Sequence, residues 1–289
     1  MFAFPASLEA DRLQTALTRR FLTPALSALE DLFLELRAES DFTLPSSLVG
    51  RYAKPYPGGC CSEITADVLR RLCVRVSAGR QGSAGERALI AFVKQGGRIN
   101  SVWGVLRDRY FQNALQVGGL YVDVANDTVD PNKPKVEILP MPESGLVLVR
   151  DGSHFARIGE SYWNARLYTN TALPALAPHF PMILVWPTGV CQLAARNTYM
   201  VQLFARDGFR PAEQWLREGA PAPLWVVDTM RQVSPPDLLG DTPPGLEAAL
   251  AACQRLRRTR MVVDERKMEA LLGIFDRTPA AQANLALAV

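Results

Sequence analysis

Tyr56-Pro57-Gly58-Gly59-Cys60-Cys61-Ser62-Glu63-Ile64-Thr65, continued through Leu72, decides how the first half of the chain is read. Pro55, Pro57, Gly58 and Gly59 stop any preceding regular element, so the chain turns before Cys60. From Cys61 the apolar residues recur as Ile64, Val68 and Leu72, the i+3, i+7, i+11 spacing of one helix face. Cys61 therefore opens a helix, on the face that packs inward. Unpaired N–H groups and the helix macrodipole at that end favour an anion, which lowers a thiol pKa. The same groups could hold an oxyanion. Against this stands the usual role of cysteine as a small buried apolar residue. Position alone leaves both open. Cys60 reads as a spacer, a resolving thiol or half of a vicinal disulfide, with spacer the simplest.

Working outward, Ser7 to Arg20 reads as a helix, and Thr23-Pro24 starts another that runs to about Arg37 through Leu26, Leu29, Phe33 and Leu36. Gly79 to Gly85 is a loop, and Glu86 to Lys94 a short helix or strand. Strands are expected at Val102–Arg107, Leu120–Ala125, Val136–Leu139, Leu146–Val149, Met182–Trp186 and Leu224–Val227. Cys191 to Phe204 and Pro211 to Arg217 read as helices, Ser234 to Pro244 as a linker, and the rest as helical with a frayed tail from Pro279.

Composition bounds the function classes. The 289 residues are 48% hydrophobic and 21% charged, a packed globular profile. A net charge of +3 gives no ground for a nucleic-acid or membrane-surface partner, and the run Arg255, Arg257, Arg258, Arg260 reads as a solvated helix face. No apolar stretch approaches a membrane span. The five cysteines are odd in number and lack framework spacing. With no secretory leader pattern, they point to a reducing, cytoplasmic setting, signal-independent secretion remaining compatible.

The 56–65 stretch resembles a motif of bacterial transglutaminase-like proteins, related in fold to papain-like cysteine enzymes. There an aromatic residue and a proline precede a glycine and the nucleophilic cysteine. Leu120-Tyr121-Val122-Asp123-Val124-Ala125-Asn126-Asp127 looks like the strand carrying that family's orienting aspartate. The resemblance covers about a quarter of the chain. It implies Cys61 as nucleophile and Asp123 as the third member of a triad. The family places a histidine just before a tryptophan on the intervening strand. Here Trp103 matches, and Ser101 stands where the histidine is expected. Serine cannot take a thiol proton near neutral pH.

Three readings follow. His154, after a strand and a turn, supplies a relocated base; another group such as Glu63, Asp127 or the helix dipole activates the thiol; or the core has kept its fold and lost its chemistry. The stretch Tyr110 to Gly119 reads as an addition to the family pattern, an inserted hairpin whose Gln112 and Asn113 could bind a peptide or amide group. With Trp103, Ser101 and Asp127 they form the expected substrate-binding set, local turn and strand hydrogen bonding being the plainer role. Cys191, read near a helix start, is a second thiol candidate, with burial the plainer role. No spacing suggests a metal site, and no cofactor is expected.

The expected fold is α/β or α+β. Residues 1–44 form N-terminal helices, 45–150 a transglutaminase-like core, and 151–289 a C-terminal extension of strands and helices or a second lobe. The expected function is thiol-dependent amide hydrolysis or acyl transfer on a small peptide or amide. The alternative is a silent binding or accessory module for a peptide or protein partner.

Overall fold

A computed structural model describes residues 7–49, 55–79, 82–195, 197–239, 243–278 and 280–282. Parts of the expected approach to Cys61, of the 79–85 loop, of the 234–244 linker and of the tail lie outside these. The chain divides into two compact units, Met1–Leu148 and Val149–Val289.

In the first unit, α1 (Arg12–Leu17) leads through a π turn and a 3-10 turn into α2 (Leu26–Ser47). Pro24 sits in that 3-10 turn, where its missing N–H costs nothing. The helix α2 outruns its expected end at Arg37 and carries Pro45 in its last turn. Next come α3 (Cys61–Ala78) and α4 (Ala84–Lys94). Gly79 closes α3 in the left-handed conformation, φ +62°, and Ser83 with Glu86 forms a capping box on α4.

Five strands follow: β1 (Ile99–Leu106), β2 (Tyr110–Val117), β3 (Leu120–Asp123), β4 (Glu137–Pro140) and β5 (Leu146–Val147). They form one antiparallel sheet in the order β4-β3-β2-β1-β5. The expected insertion at 110–119 is thus the central strand and its turn. Strand alternation sends Leu115, Val117 and Val122 to the helical layer. There they meet Leu29, Phe33 and Leu36 of α2, Ile64, Val68 and Leu72 of α3, and Leu89 and Phe92 of α4. Each such side chain stabilises the fold by about 2 kcal/mol through apolar burial.

The second unit runs α5 (Gly152–Trp163), β6 (Arg166–Thr169), β7 (Met182–Val185), β8 (Val190–Leu193), α6 (Thr198–Glu218), α7 (Leu224–Val233), α8 (Pro236–Leu239), α9 (Leu246–Arg258), α10 (Glu265–Asp276) and β9 (Ala281–Gln282). Its sheet, also antiparallel, has the order β6-β7-β8-β9. The core joins Phe180, Ile183 and Leu193 to Val201, Val226, Met230, Met268 and Leu271.

The expected linker 234–244 contains the short helix α8, and two further expectations fail here. The segment Leu224–Val227 is helical, because Val226, Val227 and Met230 share one buried helix face and a four-residue apolar run does not reveal its own period. Cys191 lies in a strand, because the turn at Gly189, φ +82°, folds Val190–Leu193 back onto β7 before any helix begins. The chain is therefore an α+β protein with antiparallel sheets beside helices. Among the described residues, no helix is long and apolar enough to cross a membrane.

Candidate functional site

Cys61 is the first residue of α3 and is half-buried. Cys60, the residue before the helix, is buried, and its thiol points to the Gly58 carbonyl at 3.7 Å. Both cysteines are free thiols, so the vicinal disulfide does not form.

The group on the Cys61 sulfur is the Asn113 amide, whose Nδ2 donates to Sγ at 3.4 Å. One turn further along α3, the Thr65 hydroxyl donates to the Asn113 carbonyl at 3.2 Å, which ties the helix to β2. Trp103 pairs with Asn113 across β1 and β2, is buried, and stacks on Phe111 at 5.3 Å. Ser101 shares the Trp103 face of β1 and stands opposite Leu115. The residue facing the thiol thus comes from β2, the strand beside Asp123, rather than from β1.

Burial pushes the Cys61 thiol up from its ordinary value. Side-chain and backbone hydrogen bonds from Asn113 pull it down by less, and the charges of Asp123 and Glu63 raise it further. The helix-start expectation of a lowered pKa is overturned, because loss of water outweighs the hydrogen bonds that favour the thiolate. The sulfur is a protonated thiol at neutral pH.

Asp123, at the end of β3, is completely buried. Gln112 Nε2 donates to both its oxygens at 3.0 and 2.8 Å. The Tyr121 hydroxyl and the Ala125 N–H donate at 2.8 Å each. Burial still dominates and raises the Asp123 pKa to about 6. Gln112 and Asn113 are consecutive in β2 and point to opposite faces. One amide holds the carboxyl and the other holds the thiol. Among the described residues, no single group bridges Cys61 and Asp123 as a triad base would.

Asp127, expected in the site, is the partner of a buried arginine. Arg37 of α2 reaches Asp127 in a two-pronged pair at 2.8 and 3.0 Å and donates to the Val124 carbonyl at 2.7 Å. Its Nε donates to Asp41 at 2.7 Å, and Asp41 accepts from the Tyr56 hydroxyl at 2.5 Å and from Lys135 at 2.6 Å. Burial opposes the Arg37 charge, but the bonds to Asp127 and Asp41 outweigh it and hold the guanidinium pKa high. The Gly59 N–H donates to the Thr128 carbonyl at 3.2 Å. One buried arginine therefore anchors both the Tyr56 turn and the loop after β3, the two segments that hold the start of α3. Arg37 was missed in the sequence, although it continues the Leu29–Phe33 row at i+4.

His154 lies in the second unit, where its N–H donates to Asp151 at the start of α5 and its Nδ1 accepts from the Arg150 N–H at 3.2 Å. His179 also belongs to that unit, packed edge-on against Phe209 at 5.0 Å, with burial lowering its pKa to about 4. The unit that carries Cys61 has no histidine in its sequence. Cys191 is buried in β8, and burial pushes its thiol to about 11, which leaves it unreactive as a nucleophile. Among the described residues, no three His, Cys, Asp or Glu side chains are grouped to hold a metal ion.

Compared with known proteins, the chain matches no family model, no curated protein and no solved structure.

Proposed function

We propose that the first unit is a transglutaminase-like core without its general base, serving as a binding or accessory module for a peptide or protein partner. The Asn113 amide on the Cys61 sulfur carries this reading. An amide donates a hydrogen bond but cannot take a thiol proton near neutral pH, so it fills the place of a base without its chemistry. Burial that keeps the thiol protonated supports the same reading. So does the sealing of Asp123 among Gln112, Tyr121 and Ala125, which leaves the carboxyl no spare role toward the thiol.

One observation favours the second reading, a thiol-dependent amidase or acyltransferase. Cys61 is half-buried at a helix start, where backbone N–H groups could receive an oxyanion. Cys61→Ala separates the two. A module keeps full activity in cells that depend on the protein, and peptide-amide substrates show no Cys61-dependent turnover. Loss of activity with an unchanged melting curve would establish the enzyme instead. Asn113→His is the complementary variant, expected to raise Cys61 alkylation at pH 7 by ~10-fold or more by restoring a base in reach.

A further inference from the structure

The second unit contains a cavity of about 970 Å³, a volume in the range of small-molecule sites. Its walls are aromatic: Trp186 after β7, Trp215 of α6, Trp225 of α7 and Tyr168 of β6. Three of the five tryptophans of the chain thus line one cavity. Trp225 is 38% exposed, too much for a core residue of its size.

Trp215 is 5% exposed and fixed in place by two glycines. A Cβ at Gly219 would come within 2.8 Å of its indole, and one at Gly152 within 3.0 Å. Its Nε1–H is buried and, among the described residues, has no hydrogen-bond acceptor, a deficit of roughly 1–3 kcal/mol.

The charged groups at the wall are unequal. Glu160 already accepts from the Leu167 N–H at 3.0 Å, and Glu218 accepts from Gln214 at 3.0 Å. Arg166 is exposed at the cavity edge and, among the described residues, donates to no protein acceptor. Donor capacity therefore remains open on Arg166 and on the Trp215 indole, beside flat π faces, while both carboxylates already hold a donor.

We propose that this cavity is a binding site for a small planar organic anion, its ring held against Trp186, Trp225 and Tyr168 and its acidic group by Arg166. The site is independent of Cys61.

The test uses the full chain and two probes of the same body, the anionic 1-anilinonaphthalene-8-sulfonate and its uncharged parent N-phenyl-1-naphthylamine. Fluorescence titration should show saturable binding of the sulfonate and at least ~10-fold weaker binding of the neutral probe. Trp225→Ala and Arg166→Gln, both at exposed positions, should each weaken the sulfonate by ~10-fold with unchanged melting curves, Arg166→Gln leaving the neutral probe unaffected. Equal binding of the two probes would overturn the anion assignment. Sulfonate binding that survives both substitutions, or no saturable binding at all, would overturn the site.

Discussion

The strand β2 offers two adjacent amides to two very different neighbours. Gln112 faces a fully buried carboxyl that receives four hydrogen bonds. Asn113 faces a half-buried thiol through one side-chain contact of 3.4 Å. The first is built as part of the fold, since a buried carboxyl is tolerated only when its oxygens are satisfied. The second sits at a half-buried helix start, with the side chain and backbone of Asn113 on the sulfur. The aspartate that resemblance assigns to chemistry is thus tied into the sheet, while the cysteine is kept protonated beside a group that cannot deprotonate it.

The largest effect should come from removing what both sides share. Arg37→Met leaves Asp127 and Asp41 without their buried partner, at a cost of ~3–5 kcal/mol. Urea unfolding of the variant should show that loss, together with faster alkylation of Cys61 as the start of α3 loosens. A loss below ~1 kcal/mol would mean that the network does not anchor the site.

Next in size is a pH dependence that belongs to the Gln112 side alone. Burial raises Asp123 to about 6, against an ordinary carboxylate value of 3.8. The folded protein therefore binds this proton more tightly than the unfolded chain does. The stability it contributes is fully present below pH ~4, is lost as pH rises toward 6, and stays constant above, a span of roughly 3 kcal/mol. Asp123→Asn should flatten that slope in denaturant titrations from pH 4 to 8. A slope of equal size in the variant would assign it to another group.

A smaller difference separates the two amides themselves. Gln112→Leu strips two donors from a buried carboxyl and should cost ~2 kcal/mol at pH 8, whereas Asn113→Leu should cost less than ~1 kcal/mol. Paired unfolding curves measure both, and equal losses would erase the distinction between the two faces.

The helix opened by Cys61 and the strand ending at Asp123 were legible in the sequence, because helical periodicity and a Gly-rich turn are local signals. The partner of the thiol was not. Trp103 points to β1 as the strand that should supply it, yet register places Asn113 of β2 across from Trp103 and against the sulfur. The choice between two neighbouring strands is a tertiary fact, although strand alternation alone would have sent Gln112 and Asn113 to opposite faces. Burial decided the rest. It reversed the expected thiol shift at Cys61 and turned Asp127 from a site residue into the counterion of Arg37. At Leu224–Val227 the tertiary core chose helix where four apolar residues had suggested a strand.

The most direct test follows Cys61 alkylation by iodoacetamide from pH 6 to 10, resolved by peptide mass spectrometry so that the exposed Cys73 is read separately. A core without a base should give a midpoint above that of a free cysteine, about 8.5, and little reaction at pH 7. A midpoint below 7, with Cys61 reacting faster than Cys73 at neutral pH, would contradict the account and return the first unit to the thiol enzymes.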